Sequence, residues 1–449
     1  MTDPVDPLAT TERMEAAFSP AARVAAMLRF EAGLARAQAR VGIVPPEAAR
    51  AIEGACDVGR FDLPALFRRA EVDGNLAIPL VRELTALVPE EARSYVHLGA
   101  TSQDAIDTGL VLQAAEGLEV LRDDLLAVGR ACAGLAERHA GTPMVGRTLL
   151  QHAAPITFGL KAARWLASVT RELERLAALR RALPVQLGGP VGTLATMGPE
   201  GPRVVVLLAE ELGLAAPDLP WHAERAPVAE LAAGVAIAAG SAANVAADIL
   251  LLSQTEVGEA AEGGPPGGGG SSSMPQKRNP VHAPLAVAAA RIAAANAGAV
   301  LASMAHEHER AVGAWQVEWS AVPQLFRAAA AAVGHVRAAV EDLRVDPARM
   351  RANLELGGGQ AMAASLASAL APVLGGPEAF RVVAEVCRRA AAEGLDLLRA
   401  AEEEPRVAEA LSPEALREAL DPERALGAAE LFVGRALDRF RAVEEAVGP

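Results

Sequence analysis

The polar stretch that interrupts this sequence reads Gly270-Ser271-Ser272-Ser273-Met274-Pro275-Gln276-Lys277-Arg278-Asn279-Pro280. It follows a glycine- and proline-rich run, residues 263–270, which cannot continue a helix because glycine is too free and proline lacks an amide hydrogen. A short turn would have joined the flanking helical segments, and long loops in compact domains are often functional rather than simple linkers. The stretch offers hydroxyls, two cations and a carboxamide, which together can bind a carboxylate and stabilise a carbanion beside it.

The overall composition narrows the class of protein around this stretch. The chain has 449 residues, of which 51% are hydrophobic and only 3% aromatic. This composition favours many closely packed helices. The formal charge of −14 argues against a nucleic-acid partner, which would require a basic surface. Three widely separated cysteines, Cys56, Cys132 and Cys387, fit neither a metal site nor a disulfide framework, so we expect them to be buried or incidental thiols.

Apolar residues recur at helical spacing along most of the chain, and alternating strand patterns are almost absent. We therefore expect an all-α fold with three helical domains: an N-terminal domain over residues 1–104, a central bundle of long helices over 105–345 and a C-terminal domain over 346–449. The long helices of the bundle are predicted over residues 105–139, 153–183, 202–212, 228–262 and 280–308.

The same patterns predict where the protein resides. The first residues, Met1-Thr2-Asp3-Pro4, lack the basic and apolar regions of a signal peptide. The most apolar stretch, Leu231 to Leu252, contains Gly, Ser, Asn and Asp, so we expect a buried helix rather than a membrane span. These features predict a cytoplasmic protein with no membrane partner.

Three further polar clusters interrupt the helical pattern: residues 97–104, 146–152 and 309–319. They supply His97, Arg147, His152 and Arg310 together with hydroxyls and amides. Each has a plain structural explanation when taken alone: a hydrogen-bonded histidine, a helix cap, a surface ion pair or two core tryptophans four residues apart. Their combination with the stretch at 270–280 is what predicts a functional site.

In order and spacing these clusters resemble the signature regions of the fumarase/aspartase superfamily. Residues 271–280 match its most specific signature, residues 101–104 resemble the first region and 146–152 the second, while 189–193 are similar to a further glycine-rich element. The resemblance covers essentially the whole chain. It implies a cofactor-independent, all-helical homotetramer without a metal, whose active sites each take regions from three different subunits. The shared chemistry proceeds through an aci-carboxylate carbanion next to a substrate carboxylate.

The resemblance also assigns roles to individual residues. It implies that Ser271 is the base on a mobile loop, that His152 is a general acid and that Lys277 stabilises the carbanion charge. Carboxylate-binding roles fall on Thr101, Ser102, Thr148 and Asn279. We extend the expected substrate contacts to the neighbouring polar, cationic and loop residues His97, Arg147, Gln151, Met274, Arg278 and Arg310.

Departures from relatives narrow the expected substrate. The second region reads Thr148-Leu149 where many members have Thr-His, and Gly74-Asn75 stands where adenylosuccinate lyases have a His-Asp pair. The chain is most similar to the bacterial 3-carboxy-cis,cis-muconate cycloisomerases, particularly through Glu309-Arg310 to Trp319. This implies lactonisation of a tricarboxylate diene in protocatechuate and β-ketoadipate aromatic degradation. We expect Leu149 and the Trp315/Trp319 pair to form an apolar wall against the diene.

Several alternatives stay open at the level of sequence. In the lactonising direction His152 is the first choice of proton donor, because imidazole changes its protonation near neutral pH, and Ser271 is the second. A different substrate would make the protein an adenylosuccinate lyase or a related C–N lyase that releases fumarate. The non-enzymatic alternative is a crystallin-like structural protein, against which the intact Ser271, Lys277 and Asn279 argue.

Overall fold

A computed structural model describes residue 6, residues 9–265 and residues 268–448. Helices hold 70% of the described residues and strands 5%, which confirms the predicted all-α class. The N-terminal residues used to predict the absence of a signal peptide, and residues 266–267 of the glycine-rich run, lie outside the described residues.

The α-helices of the described residues are numbered in chain order. They are α1 Glu12–Ala17, α2 Pro20–Arg40, α3 Pro46–Ala55, α4 Leu63–Asp73, α5 Ala77–Leu87, α6 Ser102–Arg138, α7 Phe158–Ala182, α8 Gly201–Leu212, α9 Ala226–Leu252, α10 His282–Ala302, α11 Ala314–Glu341, α12 Pro347–Glu355, α13 Ala363–Leu374, α14 Gly376–Glu393, α15 Leu397–Glu402, α16 Pro405–Ala410, α17 Pro413–Ala419 and α18 Ala429–Val447. Short 3₁₀ helices occupy Val58–Arg60, Glu90–Tyr95, Ala195–Glu200, Gln360–Met362 and Pro422–Ala425.

Local sequence explains many of the helix ends. Helix α2 begins after Ser19, whose hydroxyl accepts the amide hydrogen of Ala22, and proline occupies its first turn. Helix α12 begins in the same way after Asp346. Helix α8 ends at Gly213, which adopts a left-handed conformation at φ 64°. Caps and breakers of this kind can be found in the sequence without any knowledge of the tertiary fold.

The chain forms two compact units, and each boundary between them falls inside a long helix. The first unit comprises Met1–Leu125, Glu172–Ala243 and Leu285–His335. Its core is built from the apolar faces of α2, α3, α4, α5 and α8 and the beginning of α6, with Phe30, Leu66 and Leu208 fully buried. The three-domain division expected from the sequence stays a prediction.

The second unit comprises Leu126–Arg171, Asn244–Pro284 and Val336–Pro449. Its C-terminal part has a core formed by α13, α14, α15 and α17, with Leu366, Leu370 and Val382 fully buried. A two-stranded antiparallel sheet lies in the same unit: β1 Pro143–Thr148 pairs with β2 Gln151–Thr157, bringing Arg147 opposite His152 and Thr148 opposite Gln151. A smaller pair joins β3 Ala260–Ala261 to β4 Arg344–Val345.

The hairpin corrects the prediction that residues from Ala153 onward begin a helix. The strand continues to Thr157, and α7 begins only at Phe158. The turn of the hairpin is made by Leu149 and Leu150, both with positive φ angles of 51° and 63°. This turn needs left-handed residues at both central positions and normally selects Asn-Gly, so two leucines gave no turn signal in the sequence.

Two helix ends also differ from the expectation. Helix α9 stops at Leu252 rather than near residue 262, and α10 stops at Ala302 rather than near residue 308. The cluster at residues 309–319 does not end a long helix: residues 303–313 lie outside helices, and α11 begins at Ala314. Arg310 is therefore presented by an irregular segment.

Helices α9 and α10 are both long and apolar enough to cross a bilayer by length and composition alone. Each is partly buried within the chain, and each exposes large apolar side chains, including Ile237 on α9 and Ile292 on α10. Such exposed apolar surface on long helices is typical of faces that another protein chain covers.

Candidate active site

The first cluster of polar side chains lies in the first compact unit and begins with His97. Its Nδ1 lies 2.6 Å from the Glu31 Oε1 atom of helix α2, and the Glu31 side chain is buried. Burial opposes the charged imidazolium, but the Glu31 carboxylate and the nearby Asp104 outweigh it and raise the pKa of His97 above its ordinary value. With Nδ1 held by Glu31, Nε2 makes no hydrogen bond within the described part of the chain.

Asp104 holds the segment that follows His97. Its fully buried carboxylate accepts the amide hydrogens of Thr101 at 2.9 Å and of Gly188 and Gly189 at 3.0 Å each. The Nε2 atom of His222 lies 2.6 Å from the same carboxylate. Asp104 therefore joins the first signature region to the glycine-rich element at 188–193, a role that the sequence did not reveal.

Arg310 completes this cluster. Its Nε donates to Gln103 Oε1 at 3.0 Å, and its Nη2 donates to Thr101 Oγ1 and to the Pro190 carbonyl, both at 3.2 Å. Its Nη1 has no hydrogen-bond partner within the described part of the chain. The structure thus brings together Thr101 and Arg310 and leaves one edge of the guanidinium available.

The two other residues expected near this cluster have different surroundings. Ser102 is the first residue of α6 and is half-buried. Trp315 is only 4% exposed, packs edge-on against Trp319 with ring centroids 4.8 Å apart, and donates its Nε1 hydrogen to Asp107. It is a core residue, so it does not form the wall of an open pocket.

The second cluster lies in the second compact unit, on the hairpin β1–β2. Both terminal nitrogens of Arg147 donate hydrogen bonds to the carboxylate of Glu259, each at 2.8 Å, and the side-chain amide of Asn353 donates to the same carboxylate at 2.8 Å. Glu259 is fully buried. The pair connects the second signature region to the root of the glycine-rich loop. It occupies the Arg147 guanidinium, whose role as a substrate ligand stays a prediction.

The end of the hairpin presents the other predicted residues of this region to solvent. Thr148, Gln151 and His152 are exposed. His152 lines a cavity of about 500 Å³ within this unit, together with Arg147, Leu150, Lys161, Asp248 and Gln254 among others. Asp248 also accepts the indole hydrogen of Trp165 at 2.8 Å. The sequence did not single out Lys161 or Asp248, because neither stands in a polar cluster.

The loop that carries the stretch at 270–280 is held at two places. The Glu262 carboxylate accepts the amide hydrogens of Val281, His282 and Ala283, which fixes the beginning of α10. Within the loop, the Gly269 carbonyl accepts both the backbone and the side-chain amide of Asn279, at 2.7 and 3.2 Å. A side chain at residue 269 would come within 2.2 Å of the Asn279 carbonyl, so only glycine fits there.

Ser271 lies at the head of a tight turn in this loop. Its Oγ accepts the amide hydrogens of Ser273 at 3.4 Å and Met274 at 3.2 Å. Backbone donors aimed at a hydroxyl oxygen stabilise that oxygen when it carries negative charge. Among the described residues, the exposed side chains of Lys277 and Arg278 have no hydrogen-bond or ion-pair partner, and the Met274 side chain is 42% exposed.

The predicted residues therefore form two groups within the chain. One holds His97, Thr101, Ser102 and Arg310 in the first unit; the other holds the residues of the hairpin and loop in the second unit, namely Arg147, Thr148, Gln151, His152, Ser271, Met274, Lys277, Arg278 and Asn279. Sequence reasoning missed Glu31, His222 and Glu259, which are buried partners far away along the chain. Glu31 could have been suspected, since it is a carboxylate in an otherwise apolar helical pattern.

Comparisons with known proteins cover nearly the whole chain. Residues 7–297 match a family model described as Lyase, and residues 359–436 match one described as Adenylosuccinate lyase C-terminus. A 3-carboxy-cis,cis-muconate cycloisomerase of Pseudomonas aeruginosa is 45% identical, over 96% of this chain and 95% of that protein. A nitrosuccinate lyase of Streptomyces davaonensis is 42% identical, over 96% and 94%. The crystal structure of the 3-carboxy-cis,cis-muconate lactonizing enzyme from Pseudomonas putida superimposes with a TM-score of 0.89 at 41% identity, over 97% and 98%.

Proposed function

This chain belongs to the lyase family of the fumarase/aspartase superfamily, and from that premise we propose that it is a cycloisomerase that converts 3-carboxy-cis,cis-muconate to 4-carboxymuconolactone. The observation that carries the proposal is the likeness, along nearly the full chain, to cycloisomerases with this substrate in their names. The reaction belongs to the degradation of aromatic compounds through protocatechuate and β-ketoadipate, and it requires no cofactor.

The chemistry is an addition within one molecule. One substrate carboxylate forms a C–O bond to a carbon of a double bond in the same diene, and the electron pair of that double bond moves onto the carbon next to another carboxylate. The resulting aci-carboxylate carbanion then takes a proton, which gives the lactone. The enzyme must hold the diene in a reactive geometry and stabilise the additional charge.

The cationic groups of the chain suit a substrate with three carboxylates. His97 keeps its proton to a higher pH than an ordinary histidine, because Glu31 faces its Nδ1. Arg310 keeps Nη1 available, while Lys277 and Arg278 have no partner within the described residues. His97 and Glu31 together are net neutral, so the compensating cations are Arg310, Lys277 and Arg278. These three can compensate three negative charges without help from Arg147, which is paired with Glu259.

Two groups compete for the proton transfer. His152 is exposed on the hairpin and lines the cavity of the second unit, where a substrate carbon could approach it. Ser271 has the backbone donors that would stabilise its oxygen as an anion, which suits a group that cycles between hydroxyl and alkoxide. We assign the proton first to His152 and keep Ser271 as the alternative. His152→Gln separates the two assignments, since only a proton donor's loss removes the proton-transfer step.

Assembly is part of the proposal. We propose a homotetramer in the cytoplasm in which each active site takes the three signature regions from three different subunits. Ile292 and Leu301 on α10 are 56% and 47% exposed in the single chain. Apolar side chains of this size are stabilised when another subunit covers them.

A second candidate function rests on the nitrosuccinate lyase, since its identity to this chain is close to that of the cycloisomerases. A substrate panel decides between them: loss of the diene absorbance of 3-carboxymuconate against fumarate release from nitrosuccinate or adenylosuccinate. We expect turnover of the diene alone. Fumarate release without diene turnover would replace the proposal with a C–N lyase, and inactivity on the whole panel would favour a structural protein.

A further inference from the structure

The direction of the Arg310 guanidinium is not set by its own backbone. The residue lies in the irregular segment between α10 and α11, preceded by His308 with a positive φ angle of 51°. What orients the side chain is its contacts: Nε faces Gln103, and Nη2 faces Thr101 and the Pro190 carbonyl. Two of the three nitrogens are therefore occupied by protein, and Nη1 is the one left for a substrate carboxylate.

Gln103 can fill its position in one orientation only. It is fully buried, and its Nε2 donates to Asp107 Oδ2 at 3.1 Å and to the His222 carbonyl at 2.9 Å. A carboxylate and a carbonyl accept hydrogen bonds without donating any, whereas arginine donates without accepting. Rotating the amide by 180° would place acceptor against acceptor on one side and donor against donor on the other. Oε1 must therefore face Arg310.

Asp107 is in turn held from three sides. Its carboxylate accepts from Arg225 Nη1 at 2.8 Å, from the Trp315 indole at 2.8 Å and from Gln103. Arg225 is 2% exposed and also donates its Nε to Glu318 at 3.0 Å. Burial opposes the charge of Arg225, but its interactions with Asp107 and Glu318 outweigh burial and raise its pKa, so that the guanidinium stays charged.

We propose that Gln103 is a positioning residue for the reaction, which aims Arg310 at a substrate carboxylate and is itself fixed by the buried cluster of Asp107, Arg225 and Glu318. The inference rests on the proposed function, because it takes the ligand of Arg310 to be a carboxylate of the tricarboxylate substrate. Gln103 does not touch the substrate in this account. Its effect passes entirely through Arg310.

This dependence is measurable as a double-mutant cycle in kcat/KM for the diene. Loss of a hydrogen bond to a charged group should make Gln103→Met about tenfold less active, mainly through a higher KM, because an aimed cation binds substrate and transition state alike. Arg310→Met should lose at least about a hundredfold. The double variant should be no worse than Arg310→Met within about threefold, since Gln103 has nothing left to position.

The matched control is Gln113→Met on the same helix. Gln113 is also buried, at 3% exposed, and donates to a main-chain carbonyl. It lies further along α6 than Gln103 and makes no hydrogen bond to Arg310. Its variant should combine with Arg310→Met multiplicatively. If Gln103→Met does not fold, Gln103→Asn keeps an amide in the core while its shorter side chain cannot reach both Asp107 and Arg310. It should give the same cycle.

Multiplicative losses for Gln103 and Arg310, or an unchanged KM in the Gln103 variant, would overturn the positioning role. That failure differs from failure of the proposed function. In the first case the wild-type enzyme still consumes the diene; in the second it does not, whatever residue stands at 103.

Discussion

Replacement of Ser271 by alanine should lower kcat for the diene by at least about a hundredfold. The Oγ atom accepts two backbone amide hydrogens, from Ser273 and Met274, at distances of 3.4 and 3.2 Å. Hydrogen bonds to a charged oxygen contribute about 1.5–3 kcal/mol each, and these long ones belong at the lower end. About 3 kcal/mol of stabilisation for an anionic oxygen corresponds to a factor on the order of a hundred. A loss of this size is the one expected of Ser271 in its alternative role to His152, as the group that cycles between hydroxyl and alkoxide.

The assay is the initial rate of loss of diene absorbance at saturating substrate, with the tetramer content of each variant checked beforehand. Ser272→Ala is the matched control, because its exposed hydroxyl makes no hydrogen bond with the described residues. It should stay within about threefold of wild type. If Ser271→Ala kept a tenth of the wild-type activity, or if both alanine variants lost activity equally, the amide donors at Ser271 would not contribute to catalysis.

Three further outcomes test separate parts of the account. Replacing Leu149-Leu150 by Asn-Gly should relieve about 1–3 kcal/mol of left-handed strain and so raise the thermal midpoint. It should also lower kcat/KM by at least about tenfold, because the apolar wall is lost. A variant in which the thermal midpoint and kcat/KM both fall, or in which neither falls, would contradict this prediction. Glu31→Gln should lower the free energy of unfolding most below pH 6.5, the ordinary pKa of histidine, and progressively less as pH rises through the raised pKa of His97. Calorimetry at several pH values measures this difference from wild type, and a difference that grows with pH would contradict the prediction. Lys277→Ala should cut kcat at least about a hundredfold, with near-wild-type turnover refuting its role.

Long-range helical periodicity was enough to predict the fold class and five long helices of the central region, α6 to α10, although not all of their ends. Helices α6 and α9 follow from unbroken apolar spacing, and each begins within three residues of the predicted start. The β1–β2 hairpin was missed because its turn is Leu149-Leu150. Strain of that kind is supported by the surrounding structure and leaves no mark in residue propensities.

The candidate site was likewise predicted only in part from the sequence. Residues in local polar clusters, such as Thr101, Arg310 and Ser271, were found because several unusual residues stand together. The buried partners of His97 and Arg147 were not found, because Glu31 and Glu259 are single carboxylates that meet these residues only after folding. A pattern read along the chain contains no information about pairs separated by dozens of residues.

The central claim is that this enzyme closes the lactone through a carbanion that takes its proton from solvent by way of an enzyme group. The most direct test is to convert 3-carboxy-cis,cis-muconate in heavy water and examine the product by mass spectrometry and proton NMR. We expect 4-carboxymuconolactone with one deuterium, on the carbon next to a carboxylate, and no deuterium in unreacted diene beyond slow reversal. Lactone without that deuterium would contradict the carbanion route, and the absence of lactone would contradict the function.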